Sequence, residues 1–250
     1  MFEWFAPIWA FLHFKKLIPI FLILSILFQT VAGYFRYFKA YFFALKFNKR
    51  RAFLYIFISG LIFSASLLWD PYVNSWARNS SGKAAEFFWS YGAEMGRSIW
   101  IFLALFYLLV IWNNRFRAVA FGALLGTSLT GLCATALKWV VLRARPDVGL
   151  GHQAFFNWQH LGTDNRDFQS FPSGDVAIVA GACFFLMMIY KKRPVLSSFF
   201  FLTSLATAFA RMHWDRHWFS DTVTSLLLAA GWAFFISGYE FFRINNLKKI

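Results

Sequence analysis

Long uncharged runs alternate with short charged segments along the 250 residues of this chain. The runs lie at 17–35, 52–69, 98–112, 118–137, 176–190, 194–210 and 222–239. As helices they span, or nearly span, about 30 Å of hydrocarbon, and the shorter ones extend into their flanks. No stretch shows the alternation over about ten residues that a lipid-facing β-strand needs. The pattern predicts an all-α integral membrane protein with six transmembrane helices in 52–250, preceded by a membrane-associated helical segment, 1–51. Run 17–35 is either a seventh span or half of a re-entrant or interfacial pair with the aromatic stretch Phe2 to Phe14, hinged at Lys15 and Lys16. Basic residues on both sides of the run favour the second reading. No small-residue cleavage site follows it, so no cleavable signal peptide is expected.

Composition supports the membrane assignment: 59% of residues are hydrophobic, 22% aromatic and only 14% charged. The formal charge of +14 suggests nucleic acid at first, but its placement argues otherwise. The segments 36–51, 113–117 and 191–193 and the C-terminus, with Lys15 and Lys16, hold sixteen of the 25 Lys and Arg against Glu3 and Glu240 alone. The positive-inside rule marks them as cytoplasmic. The segments 70–97, 138–175 and 211–221 carry nine bases and nine acids, and are expected outside. The expected partners are the bilayer and a lipid phosphate, with no nucleic acid and no assigned oligomeric state.

Ionisable residues at a membrane face are functional suspects, and three groups stand on the neutral side. The first runs from Lys138 to Arg145 and Pro146, after run 118–137; seven residues make about two helical turns, so Lys138 and Arg145 are expected on one helical face. The second is Phe171-Pro172-Ser173-Gly174-Asp175, where free amides at a helix start suit an anion. The third is Arg211-x5-His217-x3-Asp221, in which Asp221, four residues on, is expected to accept the imidazole N–H and leave the other ring nitrogen as a nucleophile or base. Together they offer three cations, a helix N-terminus and an oriented histidine, a setting suited to phosphoryl transfer.

The pattern Lys-x6-Arg-Pro, Pro-Ser-Gly-x and Arg-x5-His-x3-Asp resembles the signature of the type 2 phosphatidic acid phosphatases. The resemblance implies a six-helix bundle of that type and a membrane lipid phosphatase. It implies His217 as the nucleophile forming a phosphohistidine, Asp221 as its orienting group, and Lys138, Arg145, Arg211, Ser173 and Gly174 as phosphate binders. No cofactor or metal is implied. Bacterial members acting on undecaprenyl diphosphate, phosphatidylglycerol phosphate or lipid A set the expected place: a multi-pass protein of the inner membrane with its site facing the periplasm. The large aromatic segment 147–171 leans the expectation toward lipid A or another bulky lipid. A lipid phosphotransferase with the same site, or an inactive lipid-binding or transport protein, are the alternatives.

Two positions depart from the family pattern. Ala210 stands where a Ser often precedes the Arg. Asp175 stands where the family usually has the His that protonates the leaving group, a task for which a carboxylate among three cations is ill suited. Three explanations stay open. The leaving group needs little protonation, as in a diphosphate or an anomeric phosphate; His213, His160 or His152 gives the proton; or Asp175 replaces a His and silences the enzyme.

Each feature also has a plainer reading. Lys138, Arg143 and Arg145 are then interfacial anchors, Ser173 a helix cap, and His217 with Asp221 a structural pair. Gly122 and Gly126 read as a close helix contact, and Trp139, Trp214 and Trp218 as an interfacial belt. His13 reads as an interfacial side chain, Cys133 and Cys183 as small core residues, and 147–171 as a plain loop or a lid over the headgroup.

Overall fold

The computed structural model describes residues 49–97, 104, 114–161 and 166–237. The expectations for 1–48, and for most of run 98–112, lie outside the described residues. Six α-helices occur among the described residues: α1 Lys49–Asn79, α2 Lys83–Gly96, α3 Asn114–Val141, α4 Gly174–Ile189, α5 Pro194–His213 and α6 Phe219–Ser237. No strand occurs among these residues. The chain is an all-α multi-pass membrane protein: α1, α3, α5 and α6 carry segments long and apolar enough to cross a bilayer, and α4 is a shorter apolar helix.

Two elements differ from the expectation. Run 52–69 was ended at its first charge, but α1 continues through Asp70 and Pro71 to Asn79. The reason is that Asp70 is fully buried and bonded to protein groups, so its charge does not terminate the helix at water. The segment 70–97, read as a mixed-charge connection, is the end of α1 followed by α2. Gly92 lets α2 approach α5 closely, since a Cβ there would lie 2.0 Å from the Ala206 carbonyl oxygen.

The core is built by α4 packed on α3 and α6. At the crossing of α3 and α4 small residues face one another: a Cβ on Gly126 would lie 2.6 Å from the Gly181 carbonyl oxygen, and one on Gly122 would strike the Phe185 ring at 2.2 Å. Gly122 and Gly126 thus form the close helix contact read from their spacing. Helix α3 ends at Val141 because Leu142, buried and without glycine's freedom, takes a left-handed backbone with φ 42°. The C-terminal ends of α3 and α5 and the N-terminal ends of α4 and α6 then meet, joined by the segments that carry the three residue groups.

Candidate active site

His217 lies in the turn between α5 and α6 and is almost completely buried. Its Nδ1 is 2.7 Å from the backbone oxygen of Ser170. A carbonyl only accepts, so Nδ1 carries the hydrogen and Nε2 presents its lone pair. Asp221 was expected to hold Nδ1 directly, but its Oδ2 stands 3.7 Å away. Asp221 works one step back: Oδ2 accepts from the Ser170 hydroxyl at 2.5 Å and from the Trp218 N–H at 2.9 Å, and Oδ1 accepts from Arg143 Nη1 at 2.5 Å. At the third position of α6, the carboxylate reaches back to the helix entrance as in a capping box. Burial pushes the His217 imidazole below its ordinary pKa; Asp221 opposes the shift, while Lys138 and Arg145 add to it.

Arg143 overturns its reading as an interfacial anchor. The side chain is fully buried. Its Nη2 donates to Asp70 Oδ2 at 2.6 Å, its Nη1 to Asp221 and to Ser220 Oγ, and its Nε to the His152 carbonyl. The guanidinium carbon also lies 4.3 Å from the Phe155 ring centroid. Trp218 likewise leaves the interfacial belt: it is 8% exposed and its Nε1 donates to the Ala144 carbonyl. Trp139 and Trp214, 46% and 60% exposed, fit the belt reading.

Lys138 and Arg145 do converge, though not along a helical face. Arg145 sits beyond the helix in extended backbone, φ −73° and ψ 158°, and its N–H donates to the Asp167 carbonyl. Lys138 feels the charges of Arg145, Asp175 and Asp221, and Arg145 those of Asp147, Arg216, Asp167 and Asp175. Lys138 Nζ donates to the Gln169 carbonyl, and its Cε would lie 3.6 Å from a Cβ on Gly174. Arg211 at the end of α5 brings Nε to 3.1 Å from Asp175 Oδ2, but without the alignment of a hydrogen bond.

Three buried side-chain atoms among the described residues have no hydrogen-bond partner: Arg145 Nε, Ser173 Oγ and Arg211 Nε. A buried donor without a partner costs about 1–3 kcal/mol, and these three come one from each of the residue groups. Two helix starts lie here, and they differ. At α6 the first two amides are taken: Phe219 N–H donates to Asn74 Oδ1 and Ser220 N–H to Asp70 Oδ1. At α4 the cap residue Ser173 makes no side-chain capping bond, which leaves that end suited to an anion.

The segment 147–171 is strapped to the end of α3. Phe156 and Asn157 donate to the Val141 and Leu142 carbonyls, Ala144 N–H to Ala154, and Ser170 N–H to Arg143. It thereby delivers the carbonyl that holds His217. His213 is committed elsewhere, its Nδ1 2.8 Å from the Ala77 carbonyl and its ring stacked 3.7 Å from Trp89. His160 stacks 3.8 Å from Phe168, and the His152 ring stands edge-on to Trp218. Among the described residues no cluster of three His, Cys, Asp or Glu could hold a metal ion. Sequence reasoning passed over Ser170, Ser220, Asp70 and Asn74; the two acid and amide side chains one turn apart in an apolar helix were a usable signal.

Residues 119–244 match the PAP2 superfamily. The chain belongs to that superfamily. Membership supports a phosphatase-type enzyme acting on phosphate esters, and the match contains all three residue groups. It begins after α1 and α2, so Asp70 and Asn74 lie outside it. No curated protein and no solved structure matches this PAP2 protein.

Proposed function

We propose that this PAP2 protein is a membrane lipid phosphatase that removes phosphate from a lipid phosphate or diphosphate, of the lipid A or undecaprenyl diphosphate type, through a phosphohistidine on His217. The observation that carries this reading is the trio of unpartnered buried atoms, Arg145 Nε, Ser173 Oγ and Arg211 Nε, beside a histidine whose Nε2 is left nucleophilic. A phosphoryl group supplies the oxygens that these donors lack. In this reading Nε2 attacks phosphorus, while Lys138, Arg145, Arg211 and the Ser173–Gly174 helix start take up the charge on the equatorial oxygens. The leaving group departs with its bonding electrons. Water then attacks phosphorus in line with the N–P bond, which breaks and returns its electron pair to Nε2; the proton of the water passes to solvent and phosphate is released. The lipid enters laterally between helices.

The mixed-charge segments that carry the site face the periplasm in this reading, and the basic turns face the cytoplasm, as the positive-inside rule requires. Asp175 favours a leaving group that departs without a proton, as a diphosphate or an anomeric phosphate does. The test is a panel of phosphatidic acid, undecaprenyl diphosphate and lipid A in detergent micelles, with phosphate release and transfer to other lipids both followed. Release from at least one of them, lost in His217→Ala, is expected. Activity that survives His217→Ala overturns the reading.

A further inference from the structure

The buried charges behind His217 extend into a helix outside the family match. Asp70 of α1 accepts three hydrogen bonds: Ser220 N–H on Oδ1 at 2.7 Å, and Ser220 Oγ–H and Arg143 Nη2 on Oδ2 at 2.7 and 2.6 Å. Every neighbour donates, which suits an ionised carboxylate. One turn on, Asn74 donates from Nδ2 to the His217 carbonyl at 2.9 Å and accepts the Phe219 N–H at 2.8 Å. The turn from His217 to Ser220 is therefore pinned from α1 at three of its four residues. Asp70, Arg143, Ser220 and Asp221 are all completely buried.

The charge count in this network is uneven. One guanidinium, Arg143, lies between two carboxylates, Asp70 and Asp221, which leaves one net negative charge behind a neutral histidine. In the reaction proposed above, on which this inference rests, the Nε2 lone pair forms the N–P bond and the P–O bond to the leaving group breaks. Nδ1 keeps its proton on the Ser170 carbonyl, so the ring becomes cationic at that step. A fixed negative charge in a water-poor setting stabilises this developing cation without reorganising.

We propose that Asp70 and Asn74 are positioning residues for His217, and that Asp70 supplies the negative charge that offsets the cationic ring of the phosphoenzyme. Arg143 bridges both carboxylates, so neutralising Asp70 removes the excess charge and leaves Asp221 paired with Arg143. Lys138 and Arg145 also act on the charge of the imidazole and oppose its protonation, and Asp175 and Arg211 pair with each other.

The test compares Asp70→Asn, Asp70→Glu, Asn74→Ala and His217→Ala of the full chain, with farnesyl diphosphate in detergent micelles as probe. Asp70→Asn is expected to lower kcat about a hundredfold, the order associated with misplacing a reacting group by about 1 Å, with KM within about threefold. Its acid limb moves to lower pH, because losing a negative charge makes the imidazole harder to protonate. Asp70→Glu keeps the charge and recovers part of kcat. Asn74→Ala lowers kcat about tenfold with an unmoved acid limb. A folded Asp70→Asn protein with kcat within threefold of the parent, or with its whole loss in KM, overturns the proposal. If Asp70→Asn does not fold, Asn74→Ala decides, and a parental kcat there overturns it. His217→Ala separates the two levels: if it stays active, the phosphohistidine reading itself has failed, whatever Asp70 does.

Discussion

Gly96 faces the end of the Arg211 side chain so closely that a Cβ there would lie 2.6 Å from Nη2. Helix α2, which the family match does not include, thus sets where this guanidinium rests. Replacing Gly96 by Ala leaves the backbone alone, since only the tip of a flexible side chain must move. Gly96 is the last residue of α2 and is buried, so alanine adds only part of the helix propensity that it gains in a helix interior. The expected result is a thermal midpoint in detergent equal to or above the parent's, with kcat/KM lowered about tenfold, mostly through KM. A parental KM would mean that Arg211 does not hold phosphate in its present position.

Arg143 should matter more for folding than the residues it serves. Removing it with Arg143→Ala leaves Asp70 and Asp221 buried without their cation, a change that typically costs about 3–5 kcal/mol. The protein should unfold at markedly lower denaturant, read from tryptophan fluorescence in detergent. Loss of activity with unchanged stability would contradict the network drawn for Arg143.

The pH profile follows from the burial of His217. Its pKa is lowered below the ordinary histidine value, so the neutral, nucleophilic form persists into mildly acidic solution. The acid limb of kcat/KM is expected below pH 6.5. The sign for stability is the same. The unfolded chain takes up a proton on His217 as pH falls through about 6.5, while the folded chain does so only at lower pH. Stability that is complete above that range therefore declines within it. Titration of unfolding between pH 8 and 5, compared with His217→Ala, isolates this part.

Asp175→His tests what the carboxylate beside Arg211 does. An imidazole in its place can protonate a leaving oxygen, a contribution of about 10²–10⁴ in rate where it operates. The gain is expected for alkyl phosphomonoesters, whose leaving groups are poor, with little change for diphosphates. An equal or lower rate on both classes would show that Asp175 serves the native chemistry.

Much of the site was legible in the chain, because its residues stand at helix ends that apolar runs delimit. Lys138, Ser173, Arg211 and His217 could be assigned to helix ends from those runs alone. The pairing of Lys138 with Arg145 was reached for the wrong physical reason. The helical face assumed for them ends at Leu142, whose left-handed backbone has no glycine or asparagine to announce it. The contacts of Asp70 could not be read at all. Its partner Ser220 is 150 residues away, and which polar groups meet across a bundle is decided by packing, not by local pattern. Asp221 shows the same limit on a smaller scale: spacing placed it one turn from His217, but the strapped segment ending at Ser170 took the bond that spacing assigned to it.

Helix α4 has 16 residues, about 24 Å of helix, against roughly 30 Å of hydrocarbon. Even upright, it cannot place both ends at the aqueous boundary. With the Lys191–Lys192–Arg193 turn held at one surface, Ser173 falls about 6 Å short of the other. If the site holds phosphate as proposed above, its depth is thereby set by the length of one helix. A lipid whose phosphate is to meet His217 has to sink by about one helical turn toward the acyl chains, and need not be lifted out of its leaflet. Lengthening α4 by a turn would raise the site toward water and should favour short-chain, micellar phosphates over those held in a bilayer.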